Sequence, residues 1–109
     1  MSFTGTEVHT ISLLDAADLT ANYRTNHPGA IKAFYYSKAA VSAILAQEDC
    51  VGIRIYYGED DEGNPKLVIC GVLSNEDDID DGLLAEFGLP CPTQCGSSNA
   101  LNSWWYLIL

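Results

Sequence analysis

Apolar and polar positions repeat with two periods along this chain, and the points where the period changes divide it into elements. "ISLLDAADLTANYRTNHPG" predicts a helix with marked ends. Ser12 stands three residues before Asp15, a capping hydroxyl and a carboxylate at the positively polarised helix start. Pro28 and Gly29 stop it. His27, beside them, predicts a C-terminal cap that complements the helix dipole. "AIKAFYY" alternates with period two, Ile31, Ala33 and Tyr35 against Lys32, Phe34 and Tyr36, and predicts a strand apolar on both faces. "SKAAVSAILAQED" returns to the helical period, with Ser37 as N-cap and Val41, Ile44 and Leu45 on one face.

The clearest alternation is "CVGIRIYYG". Val51, Ile53, Ile55 and Tyr57 share one face, and Gly52, Arg54 and Tyr56 the other. The turn "EDDEGNP" follows, then "KLVICGVL", where Val68, Cys70 and Val72 oppose Leu67, Ile69 and Leu73. The pair predicts a β-hairpin with a long acidic loop, its second strand central and covered. Both tyrosine pairs, Tyr35-Tyr36 and Tyr56-Tyr57, send one ring to each sheet face. Beyond Leu73 the pattern loosens. Residues 74–103 read as an irregular acidic and Cys/Pro segment, with "LLAEFG" as a helical turn or two. Residues 104–109 form an apolar tail. The order predicts a single α+β domain over 1–109, with two helices on one face of a small, mainly antiparallel sheet and the tail as a candidate added strand.

Composition narrows the partners. Five Lys and Arg stand against fifteen Asp and Glu, a net charge of −10, which argues against nucleic acid, because a phosphate backbone needs clustered basic charge. An apolar fraction of 48% supports a packed globule. The first twenty residues lack the basic and apolar regions of a signal peptide, and no run reaches the length of a membrane span, so the expected location is cytoplasmic with reduced thiols.

Candidate chemistry is sparse. Cys91 and Cys95, spaced C-x3-C, are weak metal candidates with His9 or His27, but one tight pair falls short of four zinc ligands. The same two cysteines can close a disulfide in an oxidising compartment. Cys50 and Cys70 read as small buried apolar residues. Calcium loops centred on Gly63 or Gly82 fail, because Gly58, Ile79 and Gly88 fall where ligands are required. Asp60, Asp61, Glu62, Asp77, Asp78, Asp80 and Asp81 remain as an acidic surface for a basic protein or a weakly held cation. No nucleophile–base or nucleotide-binding motif appears. The expectation is no enzyme and no cofactor.

"NYRTNHPGAIKAFYYSK", "CVGIRIYYG", "LVICGV", "PCPTQCG" and "NALNS" together resemble a set of small uncharacterised bacterial proteins with an I-R-I-Y-Y-G core and a Cys-Pro-rich C-terminal segment. The resemblance spans about Asn22 to Ser103 and carries no activity, so it transfers no functional residue.

The tail is the remaining signal. Trp104, Trp105, Tyr106, Leu107, Ile108 and Leu109 favour burial over exposure, either on their own sheet or on a neighbouring copy. Lacking charge and proline, the run suits strand addition to a sheet edge. The expected function is therefore a self-associating assembly protein, a homo-oligomer with the tail as intersubunit contact. The alternatives are an acidic monomeric inhibitor-type partner of a basic protein and a small Cys-based metal or redox protein.

Overall fold

The computed structural model describes residues 2–103; the tail at 104–109 lies outside the described residues. The architecture is α+β, with two helices and two small antiparallel sheets. Helix α1 spans Leu13–Asn26 and α2 spans Lys38–Leu45; the strands are β1 (Ala33–Tyr35), β2 (Cys50–Glu59), β3 (Pro65–Leu73), β4 (Leu84–Ala85) and β5 (Leu89–Cys91). One sheet has the order β1-β5 and the other β2-β3-β4.

Both helices begin where side chains can satisfy free amides. The Ser12 hydroxyl accepts from Asp15 N–H at 3.1 Å, and the Ser37 hydroxyl from Ala40 N–H at 3.1 Å. At the far end of α1, His27 N–H donates to Tyr23 O, and its ring stacks on Tyr23 with centroids 4.1 Å apart. His27 is thus a cap.

The described residues form two compact units: 2–8 with Tyr35–Leu89, and His9–Phe34 with 90–103. In the first, β3 is central. β2 flanks it on one side, while β4 and a bridge from Asp78 to Val72 flank it on the other. Ile69, Cys70, Gly71 and Val72 are accordingly buried, as expected of a covered strand. Helix α2 packs over β2 and β3, sealing Ile44 and Ile69 to 2% and 3% exposure.

Gln47, just beyond α2, wedges this layer together. Its Oε1 accepts from Leu83 N–H at 2.7 Å, and its Nε2 donates to Ile44 O at 2.9 Å. The approach needs two residues without side chains. A Cβ on Gly71 would lie 2.9 Å from Gln47 Nε2, and one on Gly82 only 2.2 Å from Gln47 Oε1.

The second unit holds α1, which buries Ala17 and Ala21, and the C-terminal turn. Arg24 Nη1 donates to Leu101 O at 2.7 Å and Lys32 Nζ to Asn102 O at 2.7 Å. Cys91 and Cys95 are joined as a disulfide, with Cα atoms 4.8 Å apart. This differs from the reduced thiols expected from the sequence. The separation of four residues, with Gln94 N–H donating back to Pro90 O at 2.8 Å, curls the chain so that the two sulfurs meet.

Two stretches differ from their sequence reading. "LLAEFG" is not helical, because Leu84 and Ala85 pair with Cys70 and Ile69 of β3, and Phe87 then takes a positive φ of 57°. "LPC", read as irregular, is β5. Two- and three-residue strands cannot display a period of their own, so only their partners define them.

Candidate interaction surface

The hairpin β2–β3 builds the most distinctive surface among the described residues. Its register sets Ile53 opposite Gly71, Arg54 opposite Cys70, Ile55 opposite Ile69, Tyr56 opposite Val68 and Tyr57 opposite Leu67. Opposed residues of an antiparallel pair share a face. One face of β2 therefore carries Ile53, Ile55 and Tyr57, and the other Gly52, Arg54 and Tyr56, as the alternation requires. Of the Tyr35-Tyr36 pair, Tyr36 donates to Leu67 O at 3.1 Å, while Tyr35 is exposed.

On the Arg54 face a polar cluster forms. Arg54 Nη1 and Tyr56 Oη both donate to the carboxylate of Asp78, and Arg54 also reaches Glu76 O at 3.2 Å. The guanidinium lies 5.9 Å from the centre of the Phe3 ring. The Tyr56 hydroxyl, and with it the Arg54 guanidinium, holds the Asp78 carboxyl below its ordinary value. The same bond to Asp78 pushes the Tyr56 hydroxyl up. Burial, then the Asp78 charge, raises the Cys70 thiol. A tyrosine held protonated and a carboxylate held ionised and bonded make a structural brace rather than an acid–base pair.

The opposite face is apolar and open. Ile53 is 39% exposed, Ile55 51% and Tyr57 96%, so α2, although it packs over both strands, leaves this row exposed. β2 is also an edge strand. Among the described residues nothing pairs with its outer side. Its first end is closed by a bulge, where Cys50 and Gly52 oppose consecutive residues of β3 and leave Val51 over. The N-terminal arm crosses there, close enough that a Cβ on Gly5 would fall 2.9 Å from Val51 O. The open edge runs from Gly52 to Gly58.

The acidic candidates do not converge. Asp60 is spent inside the hairpin loop, where its side chain accepts from the amides of Glu62 and Asn64 at 2.9 Å each; the Asn64 side chain, above all, lowers its pKa. Asp78 is committed to Arg54 and Tyr56. Asp77 accepts from Asn75 Nδ2 at 3.1 Å. Asp61, Glu62, Asp80 and Asp81 are exposed. Among the described residues no group of three His, Cys, Asp or Glu side chains is placed to hold a metal ion, and no helix is long and apolar enough to cross a membrane. Trp104, Trp105, Tyr106, Leu107, Ile108 and Leu109, the intersubunit contact read from the sequence, lie outside the described residues.

Sequence reasoning named Asp78 only as part of an acidic surface and missed Arg54 as its partner. The available signal was a cation in mid-strand on a strongly acidic chain. Comparison with protein-family models, curated proteins and solved structures finds no match.

Proposed function

We propose that this chain is a non-enzymatic assembly protein that associates with copies of itself, with residues 104–109 as one intersubunit contact. The observation that carries the reading is uncovered apolar surface. Among the described residues no large side chain is fully buried. Meanwhile the Ile53–Ile55–Tyr57 row on β2, Leu84 on β4, and Leu13, Leu14 and Leu19 on α1 stand exposed. Single exposed apolar residues are ordinary, but a contiguous row beside an open strand edge marks a contact surface. The acidic surface expected of an inhibitor-type protein has less support, because Asp60 and Asp78 are engaged by their own chain.

The test is light scattering after size exclusion, on the full chain and on a chain ending at Ser103, at low and high salt. Assembly that grows with salt and falls when the tail is removed is expected, since screening relieves the −10 charge. A full chain that stays monomeric at every salt and concentration overturns the reading.

A further inference from the structure

We infer that the open edge of β2 is the docking site for β2 of a second copy, the two strands running antiparallel about a two-fold axis at Ile55. This rests on the self-association reading and names the surface that carries it. The axis must stand perpendicular to the sheet to set two copies of one strand side by side and antiparallel. Residues that oppose each other then lie on the same face, so the axis passes through a residue rather than between two.

The edge from Gly52 to Gly58 leaves three central choices. An axis at Arg54 sets two guanidiniums directly opposite each other, which is destabilising. An axis at Tyr56 sets Ile53 opposite the partner's Glu59 and Arg54 opposite the partner's Gly58. An axis at Ile55 fits at every position. Ile55 meets Ile55 of the partner subunit, Ile53 meets the partner's Tyr57, and Gly52 meets the partner's Gly58.

On the other face Arg54 meets the partner's Tyr56, a cation against a ring. Each Arg54 and Tyr56 already share their own Asp78, so the two braces join with their charges balanced. The open edge is also symmetric about this axis, since its two ends, Gly52 and Gly58, exchange. The bulge at Val51 and the N-terminal arm end the pairing at one side, and the acidic hairpin loop ends it at the other. Asp49 then approaches the partner's Asp61, like charges that salt screens.

The contact covers the exposed row, because Ile53, Ile55 and Tyr57 of one copy lie along Tyr57, Ile55 and Ile53 of the next. It also pairs the backbone groups that β2 presents outward, whichever alternate set these are. The product is one continuous sheet in the order β4-β3-β2-β2-β3-β4, with two-fold symmetry and a closed interface.

Cross-linking tests the register. Directly opposed Cα atoms of antiparallel strands lie about 4.5–5.5 Å apart, within the roughly 4.4–6.8 Å that a disulfide spans. Tyr57 and its own counterpart would be four residues out of step, roughly 13 Å along the strand. Full-length Ile55→Cys and Tyr57→Cys are oxidised at high salt beside the unsubstituted protein, which reports any linkage through Cys50 or Cys70. Both sites are exposed, and thermal melts confirm that each variant folds. The expected result is a shift of the Ile55→Cys band to the dimer mass on non-reducing gels, with Tyr57→Cys no different from the unsubstituted protein. If light scattering shows assembly but Ile55→Cys does not cross-link, or Tyr57→Cys cross-links equally, the β2 pairing is wrong and self-association stands. A chain that is monomeric throughout sinks both.

Discussion

Gly82→Ala should destabilise the protein, and in a Gln47→Ala background it should cost little further. Gly82 lies outside the left-handed region, so alanine fits its backbone and would stabilise by about 0.5 kcal/mol through the unfolded chain. The new Cβ, however, would lie 2.2 Å from Gln47 Oε1 and 2.7 Å from Ile79 Cγ2. The amide must leave, losing its bond from Leu83 N–H, about 1 kcal/mol. Crowding adds roughly 1–3 kcal/mol. The net loss is about 2–3 kcal/mol.

Gln47→Ala alone forfeits two hydrogen bonds, about 2 kcal/mol. If the sites were independent, the double variant would lose about 4–5 kcal/mol. In the Gln47→Ala background no amide is left to displace, and only Ile79 must yield, so the double variant should lose about 2.5 kcal/mol. The coupling is then about 2 kcal/mol, well within the range for residues in contact. Urea unfolding of the four proteins at neutral pH, followed by circular dichroism, measures it. A coupling below about 0.5 kcal/mol, which is additivity, would refute the wedge role of Gln47.

Two further outcomes follow from charge and cross-linking. Asp78, held down first by the Tyr56 hydroxyl, Asp60, held down first by the Asn64 side chain, and Glu7, held down first by the Thr4 amide, all have folded pKa values below their ordinary ones. Their contribution is therefore complete above the unfolded carboxyl values and is lost as pH falls through the lower folded ones. Melting temperature should fall below about pH 4, and Asp78→Asn should reduce that dependence; an identical acid limb in the variant would contradict the brace. Reducing Cys91–Cys95 should cost about 2 kcal/mol, the loop-entropy value for so short a ring. Hydrogen exchange near Lys32, whose amide donates to Cys91 O at 2.8 Å, should then quicken, and unchanged protection there would rule out coupling of the disulfide to β1.

What could be read from the sequence was whatever is decided locally. Ser12 and Ser37 show themselves as caps because the residues they serve are three positions away. The hairpin shows itself because Val51 to Tyr57 alternate cleanly and the loop between the strands is built of Asp, Gly, Asn and Pro. The brace did not show, because Asp78 is one carboxylate among five in "SNEDDIDDG", and nothing local distinguishes the one that reaches Arg54. Gln47 read as a polar residue at a helix end, since its role depends on Gly71 and Gly82, which only the folded sheet brings to it. The free edge of β2 was hidden for a related reason. A strand's alternation reveals its two faces but not whether a neighbour lies on one side or both.

The interleaving of the two units has a consequence for how the protein is made. The unit containing α1 is built from His9–Phe34 and the chain after Leu89, so everything between belongs to the other unit. During synthesis α1 must wait for its partners until the chain beyond Leu89 has left the ribosome. The hairpin unit, which ends at Leu89, has emerged whole by then. Its folding draws the residues next to Phe34 and Pro90 into one structure, shortening the loop that the α1 unit must close. Translation order thus favours the hairpin unit first and the α1 unit last. Neither unit can be excised as one continuous fragment, and a gene recoded to express either alone would need its two segments rejoined by a linker.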